Sequence, residues 1–367
     1  MRSPKRRLVW LVALLAVIGL VAAACGSDDD SSGGDSPGTT EGSSEGSGFD
    51  YASCSGSLSG RGASFPEAFY QEAIAEFSSV APDLDMGTYQ GVGSGTGKKD
   101  LASELIDWAG SDSLVSDPAD FPREFFYFPT VAAPITISYN LDGVDELKLS
   151  PDTLAGIFMG EITEWDASEI AADNEGVDLP SEAITVAVRA DGSGTTNNFS
   201  KYLVAAAPDV FTLEAGDTVA WPKSQAGQGN GGVAQIISDT SGAIGYVDLS
   251  DANSVGLSYA EIQNKDGEFV GPTLEGATAA LDGAEVNDDL TYNPLDASGA
   301  EAYPITAPTY ILTYQTYSDA TTVENLKCWI TYVLTDAQSL AADVDFAALP
   351  EGLDQQALDQ VDQITSG

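Results

Sequence analysis

The chain has 367 residues, 43% of them hydrophobic, and carries 57 acidic side chains against 14 Lys and Arg, a formal charge of −43. That length supplies two moderate cores, and that charge repels nucleic acid and anionic headgroups, which argues against both as partners. There is no histidine, so Ser-His-Asp and Cys-His catalysis and imidazole metal sites are excluded, and neither a metal nor a cofactor is expected.

Residues 1–24 carry a basic end (Arg2, Lys5, Arg6, Arg7), an apolar run from Leu8 to Val21, and Ala22-Ala23-Ala24 before Cys25. The run is short for a membrane span and reads as a secretion signal. It resembles a bacterial lipoprotein signal, whose cysteine becomes the lipidated first residue, although Ala22 stands where leucine is usual. An uncleaved anchor and an ordinary signal peptide are the alternatives. Residues 25–48 are Gly, Ser, Thr, Asp and Glu with one proline and no large apolar side chain beyond the cysteine. Such a segment buries nothing and is expected to be a disordered tether, spanning roughly 25 Å as a flexible coil. With Cys25 lipidated, Cys54 and Cys328 remain as an even pair outside the cytoplasm. A disulfide between them is expected, two buried free thiols being the alternative.

A short strand from Leu58 leads into Gly60-Arg61-Gly62-Ala63-Ser64-Phe65-Pro66-Glu67. Ser64 with Glu67 fits a capping box, Pro66 suits a first helical turn, and Phe69, Ala73 and Phe77 mark the buried stripe of a helix ending near Pro82. Tyr89-Gln90-Gly91-Val92-Gly93-Ser94-Gly95-Thr96-Gly97-Lys98-Lys99 is a glycine-rich turn before a helix. It fails as a P-loop at Val92 and Lys99, and as a dinucleotide fingerprint at Thr96 or Lys98. What it offers is the Ser94 hydroxyl and bare N–H groups, or simply a glycine turn. Asp112 ends the strand-like Asp107-Trp108-Ala109-Gly110-Ser111, where it either caps the turn through Asp117 or serves a site.

Phe125–Tyr139 and Tyr303–Tyr314 are two long apolar, β-rich runs that bracket alternating helix and strand signals. The pattern predicts two lobes joined by two crossings: residues 49–138 plus 306–367, and residues 139–305. Within the second, Ala183–Val188 is a strand. Phe199, Tyr202, Leu203 and Ala206 follow it at helical spacing. The turn between, Arg189-Ala190-Asp191-Gly192-Ser193-Gly194-Thr195, sets a cation, a carboxylate, glycines and hydroxyls at a helix N-terminus. It is either a well-capped helix with a surface ion pair or an anion cradle. Helical patterns at Val323–Leu334 and Leu353–Val361 are expected to pack back on the first lobe.

These motifs, with Gly110-Ser111-Asp112, Phe128-Pro129-Thr130, Glu164-Trp165-Asp166 and Gly242-Ala243-Ile244-Gly245-Tyr246-Val247, occur in the order found in one family. The chain resembles the PstS-type phosphate-binding proteins of the high-affinity phosphate ABC transporter, from about Cys54 to about Pro350. The resemblance implies an α/β, two-lobed type II periplasmic-binding-protein fold, with two crossover strands and the ligand in the inter-lobe cleft. It implies contacts to phosphate from the Ser64 hydroxyl, the Phe65 N–H, the Ser94 hydroxyl and Arg189. Asp191 would hold the guanidinium, Asp112 would accept the ligand's proton, and Ser193, Gly194 and Thr195 would donate from backbone and hydroxyl groups. Arg61, where a small residue is usual, and Lys98-Lys99, which add positive potential near the mouth, depart from the pattern.

The expected protein is therefore a monomer anchored to the outer face of the cell membrane that captures inorganic phosphate and passes it to the permease subunits of an ABC importer. A sensor or adhesin on the same fold, and binding of arsenate, are the alternatives. A secreted phosphatase using Ser193 or Ser94 would lack a histidine base.

Overall fold

The computed structural model describes residues 48–350 and 352–367. The signal segment, the lipidation expected at Cys25 and all but the last residue of the tether lie outside them.

Among the described residues the fold is built on one nine-stranded sheet. In chain order its strands are β1 (Gly60–Gly62), β2 (Gln90–Gly91), β3 (Trp108–Ser111), β4 (Phe125–Asn140), β5 (Thr185–Arg189), β6 (Ser224–Gly227), β7 (Ala243–Asp248), β8 (Ser258–Tyr259) and β9 (Thr306–Tyr314). The spatial order is β2-β1-β3-β9-β4-β7-β5-β6, with β8 also paired to β4. Strands β1, β2 and β3 run parallel to one another, as do β5, β6 and β7. The two long runs seen in the sequence join these groups. Residues 125–134 of β4 pair with β9, and residues 135–140 pair with β7. Both strands are buried almost throughout, so they read as unbroken apolar runs where one-sided strands would alternate.

The parallel strands feed helices that begin at the same edge of the sheet: α1 (Glu67–Val80), α2 (Ser94–Ala102), α3 (Gly194–Ala206) and α4 (Gly229–Asp239). Two aromatic clusters anchor the two ends of the sheet. Tyr70, Tyr89, Trp108 and Trp329 pack with ring centroids 4.9–5.7 Å apart around β1 and β3. Phe158, Phe199, Trp221 and Tyr246 pack at 4.7–6.1 Å around β5 and β7. Such rings bury large apolar area in fixed edge or tilted geometries, which keeps each group of strands rigid. The predicted stripe of α3 is borne out in Phe199, Tyr202 and Leu203, all fully buried. No helix among the described residues is long and apolar enough to cross a membrane.

The C-terminal helices α5 (Ala320–Leu334) and α6 (Leu353–Val361) pack on each other, and α5 also lies against α1. Cys54 is bonded to Cys328 on α5, with Cα atoms 6.6 Å apart and a sequence separation of 274. The expected pair thus clamps the start of the body to its last helical region. A bridge closing so long a loop restricts the unfolded chain strongly, and its loss costs about 3–5 kcal/mol. Cys328→Ser is expected to lower the denaturation midpoint by that equivalent. The oxidised protein should drop to the same midpoint on adding reductant, and an unchanged midpoint would show the bridge to be idle.

Candidate functional site

Parallel strands direct their carboxyl ends, and the helix N-termini that follow, to one crevice. Four such turns meet here: Ser64–Pro66 before α1, Val92–Gly93 before α2, Ala190–Ser193 before α3 and Gln228 before α4. Asp112, one residue past β3, and Thr309 of β9 complete the junction.

The structure corrects the capping box. Helix α1 starts at Glu67, so Ser64 lies two residues before its N-cap, Pro66, and no side chain caps it. The Glu67 carboxylate instead accepts the Gly91 N–H at 3.0 Å. Ser64, freed from capping, accepts the Asn230 N–H on Oγ at 3.1 Å from the opposite side of the crevice. The Phe65 ring is buried edge-on against Phe346, which leaves its backbone as the part that can serve a ligand. Ser193 is a true N-cap: its Oγ accepts the Thr196 N–H at 3.1 Å, and its own N–H donates to the Asp217 carbonyl at 2.9 Å. Its hydroxyl proton remains to be donated. Gly194 and Thr195 open α3, where N–H groups have no intrahelical acceptor.

Arg189 ends β5 with its side chain almost wholly buried. Asp191, two residues on, grips it from Nε at 3.0 Å and again from Nη2. Nη1 donates to Asn230 Oδ1 at 2.7 Å and to Thr195 Oγ1 at 3.3 Å. Asp191 also accepts the Gly229 N–H at 3.1 Å. A guanidinium held this way is a fixed donor whose charge is matched at once by a carboxylate.

Asp112 is buried on the other wall. Its Oδ1 accepts from Thr309 Oγ1 at 2.7 Å and its Oδ2 from Ser94 Oγ at 3.3 Å, while its own N–H donates back to Ser94 Oγ at 3.2 Å. The cap role open in the sequence belongs to Asp117, which accepts the Ala119 N–H. Desolvation pushes the Asp112 carboxyl up to about 7, against the pull of the Thr309 hydroxyl, the Arg189 charge and the Ser94 hydroxyl, with Asp217 adding a smaller upward push. Behind Arg189, burial also raises Asp248 and Asp251, whose proximity adds to the effect at Asp248.

The walls touch. Gly95 N–H donates to the Gly192 carbonyl at 2.9 Å, and Asn198 Nδ2 to the Asp112 carbonyl at 2.6 Å. Lys98 pairs with Asp217 at 2.8 Å, so its charge is matched by a carboxylate and does not stand free at the mouth. Two glycines permit the approach. Gly93 sits at φ +93°, and a Cβ there would lie 2.2 Å from Asp191 Oδ2; a Cβ on Gly194 would lie 2.5 Å from Ser94 Oγ.

All nine side chains or turns expected at the site converge on this junction. Sequence reasoning missed Asn230, which bridges Arg189, Thr195 and, at 2.8 Å, Asp248, and it missed Thr309. The Gly229-Asn230-Gly231-Gly232 turn resembles the other helix-opening turns and could have pointed to Asn230. Thr309, inside an apolar strand, carries no comparable signal.

A family model described as a PBP superfamily domain matches residues 38–337. A phosphate-binding protein PstS of Pasteurella multocida is 31% identical over 304 residues, 82% of this chain and 88% of the relative. PstS of Methanocaldococcus jannaschii is 33% identical over 337 residues, 83% of this chain and 85% of the relative. PstS 3 of Mycobacterium tuberculosis is 30% identical over 358 residues, 93% and 94%. Among solved structures, a high-affinity periplasmic phosphate-binding protein bound with phosphate superposes with a TM-score of 0.67 at 22% identity, covering 82% of this chain and 92% of that one. A phosphate-binding protein from Stenotrophomonas maltophilia gives 0.64 at 20% identity, covering 83% and 94%. At these identities the structures establish a shared fold, the two-lobed type II arrangement expected from the sequence.

Two outcomes follow from the junction itself. Gly194→Ala, with ordinary helical backbone but no room for its methyl, is expected to hold the walls apart. Small-angle scattering should then give a larger radius of gyration than the parent protein, and an equal radius would count against contact at this glycine. Asp112 binds a proton in the folded state up to about pH 7, whereas the unfolded chain releases it near 3.8. The folded state therefore holds more protons between about pH 4 and 7, and stability falls as pH rises through that window. The melting temperature of the unliganded protein should decline from pH 4.5 to 7, with a shallower slope in Asp112→Asn.

Proposed function

The chain belongs to the PstS family of phosphate-binding proteins within the PBP superfamily, and on that footing we propose that it captures inorganic phosphate outside the cytoplasm and delivers it to the permease of an ABC importer. Residues 49–138 with 306–367 form one lobe and residues 139–305 the other, the chain crossing between them within β4 and again where it enters β9. Phosphate binds where the walls meet, and lipidated Cys25 keeps the protein, as a monomer, at the outer face of the membrane.

The observation that carries this reading is a buried carboxylate set among hydroxyls, amides and one guanidinium. Ser64, Ser94, Arg189, Ser193, Gly194, Thr195 and the Phe65 N–H are donors, and Asp191 fixes the arginine. A wholly donating site would suit any tetrahedral anion. Asp112 makes it selective, because phosphate near neutral pH keeps a proton to donate and sulfate does not. Against sulfate, Asp112 would face lone pairs in a dry cleft, a cost of several kcal/mol. Arsenate also keeps a proton and passes the same filter.

The acidic surface does not prevent anion capture. Arg189 and Asp191 form a neutral pair, so the attraction comes from short dipoles acting over a few ångströms. Surface carboxylates are screened beyond roughly 8–10 Å at physiological salt. The chemistry proposed is binding; a Ser-His-Asp hydrolase is ruled out because the chain has no histidine.

Titration calorimetry of the purified protein tests this. Phosphate should bind at least about 1,000-fold more tightly than sulfate, the equivalent of roughly 4 kcal/mol. Asp112→Asn should shrink that ratio by at least about tenfold while keeping the parent circular dichroism. Equal affinities in the parent would remove the role given to Asp112, and no heat with either anion would remove the transport reading.

A further inference from the structure

We propose that Thr309 sets the anion selectivity of the cleft by holding Asp112 as a proton acceptor with one chosen oxygen facing the ligand. This rests on the reading of Asp112 given above and extends it to a residue outside every motif of the cleft.

Thr309 is fully buried in β9, between β3 and β4, 197 residues from Asp112 in sequence. Its position is irregular. From Thr309 to Tyr310 the partner on β4 changes from Val131 to Pro129, so Thr130 is passed over in a bulge. On its other side β9 pairs in register with β3, Tyr310 with Ser111, Ile311 with Gly110 and Leu312 with Ala109. Continued by one residue, that register sets Thr309 opposite Asp112, and its hydroxyl meets Asp112 Oδ1 at 2.7 Å. Oδ2 is the other oxygen, close to Ser94 and turned to the first turn of α3, where a methyl on Gly194 would come within 2.8 Å of it. Thr309 thus occupies the far oxygen and leaves the near one for a ligand's proton.

The same bond also bears on the charge of Asp112, opposing the effect of burial. A hydroxyl stabilises a carboxylate more than a carboxylic acid, because the bond to the anion is charge-assisted. The groups bearing on Asp112 come from every surrounding element. Arg189 on β5 and the hydroxyls of Thr309 on β9 and Ser94 on α2 favour the charged form, and Asp217 and burial oppose it. Tyr70 of α1 and Tyr89 beside β2 also lie within electrostatic reach, both held neutral by burial. Removing the Thr309 hydroxyl takes away the shortest bond in this set. Asp112 then stays protonated to higher pH and presents a donor, which suits a fully deprotonated anion.

Sulfate is the direct probe because it does not titrate near neutrality. Sulfate and phosphate affinities are measured by calorimetry from pH 6 to 9 for the parent protein, Thr309→Val and Thr309→Ser. Thr309→Ala is read in parallel, so that the result does not depend on how one replacement packs. In Val and Ala the phosphate-to-sulfate affinity ratio at pH 7.5 should fall at least tenfold, and sulfate binding should persist to higher pH than in the parent. Thr309→Ser, which keeps the hydroxyl, should retain the parent ratio and pH profile. A general loss of packing would weaken both anions together and leave the ratio and profile unchanged, and that outcome overturns the proposal. A parent protein that discriminates, with Val and Ala discriminating equally well, overturns the role of Thr309 alone. A parent that binds both anions equally overturns the reading of Asp112 and this proposal with it.

Discussion

A carboxylate stripped of water governs this molecule. Asp112 sits at the meeting point of the two walls, in a chain already carrying 57 acidic residues. Its burial is tolerable because Thr309 and Ser94 donate to it and Arg189 lies near enough to favour its charge. The arginine is in turn immobilised by Asp191 and Asn230. Remove any of these and a buried polar group loses its partner, at a cost larger than the bond itself was worth.

The architecture follows from the need to bring such groups together from distant segments. Parallel strands place several helix N-termini at one edge, and β9 and β4 link the two groups, β9 paired to β3 and residues 135–140 of β4 paired to β7. Between the aromatic clusters at either end, β4 is the strand that pairs with both groups. The disulfide ties the start of the body to α5. Gly93 and Gly194 at the contact let the walls approach more closely than a side chain there would allow.

Much of this was legible in the residues. Periodic apolar stripes announced α3, α5 and α6, and the two uninterrupted β-rich runs announced the crossing strands. Arg189 and Asp191 lie two positions apart on one turn, so their pairing was a local matter. The lobe boundaries and the phosphate contacts remain expectations drawn from motif and resemblance. What the sequence concealed was long-range or competitive. Thr309 reaches Asp112 across 197 positions, and only the antiparallel pairing of β9 with β3 brings the two together. Ser64 and Glu67 have the spacing of a capping box, yet the helix begins at Glu67 and Gly91 offers that carboxylate a nearer N–H. Lys98 looked like free positive charge until Asp217 came to meet it from the other wall.

The central claim is that Asp112 accepts a proton from bound phosphate in a site otherwise made of donors. A crystal structure of the phosphate complex at a resolution that places individual oxygens tests it most directly. The account predicts one phosphate oxygen about 2.5–2.7 Å from Asp112 Oδ2, the spacing of a charge-assisted O–H···O bond. The remaining oxygens should face Ser64, Ser94, Arg189 and the first turn of α3. Phosphate bound elsewhere, or held by those donors with Asp112 turned away from it, would contradict the account.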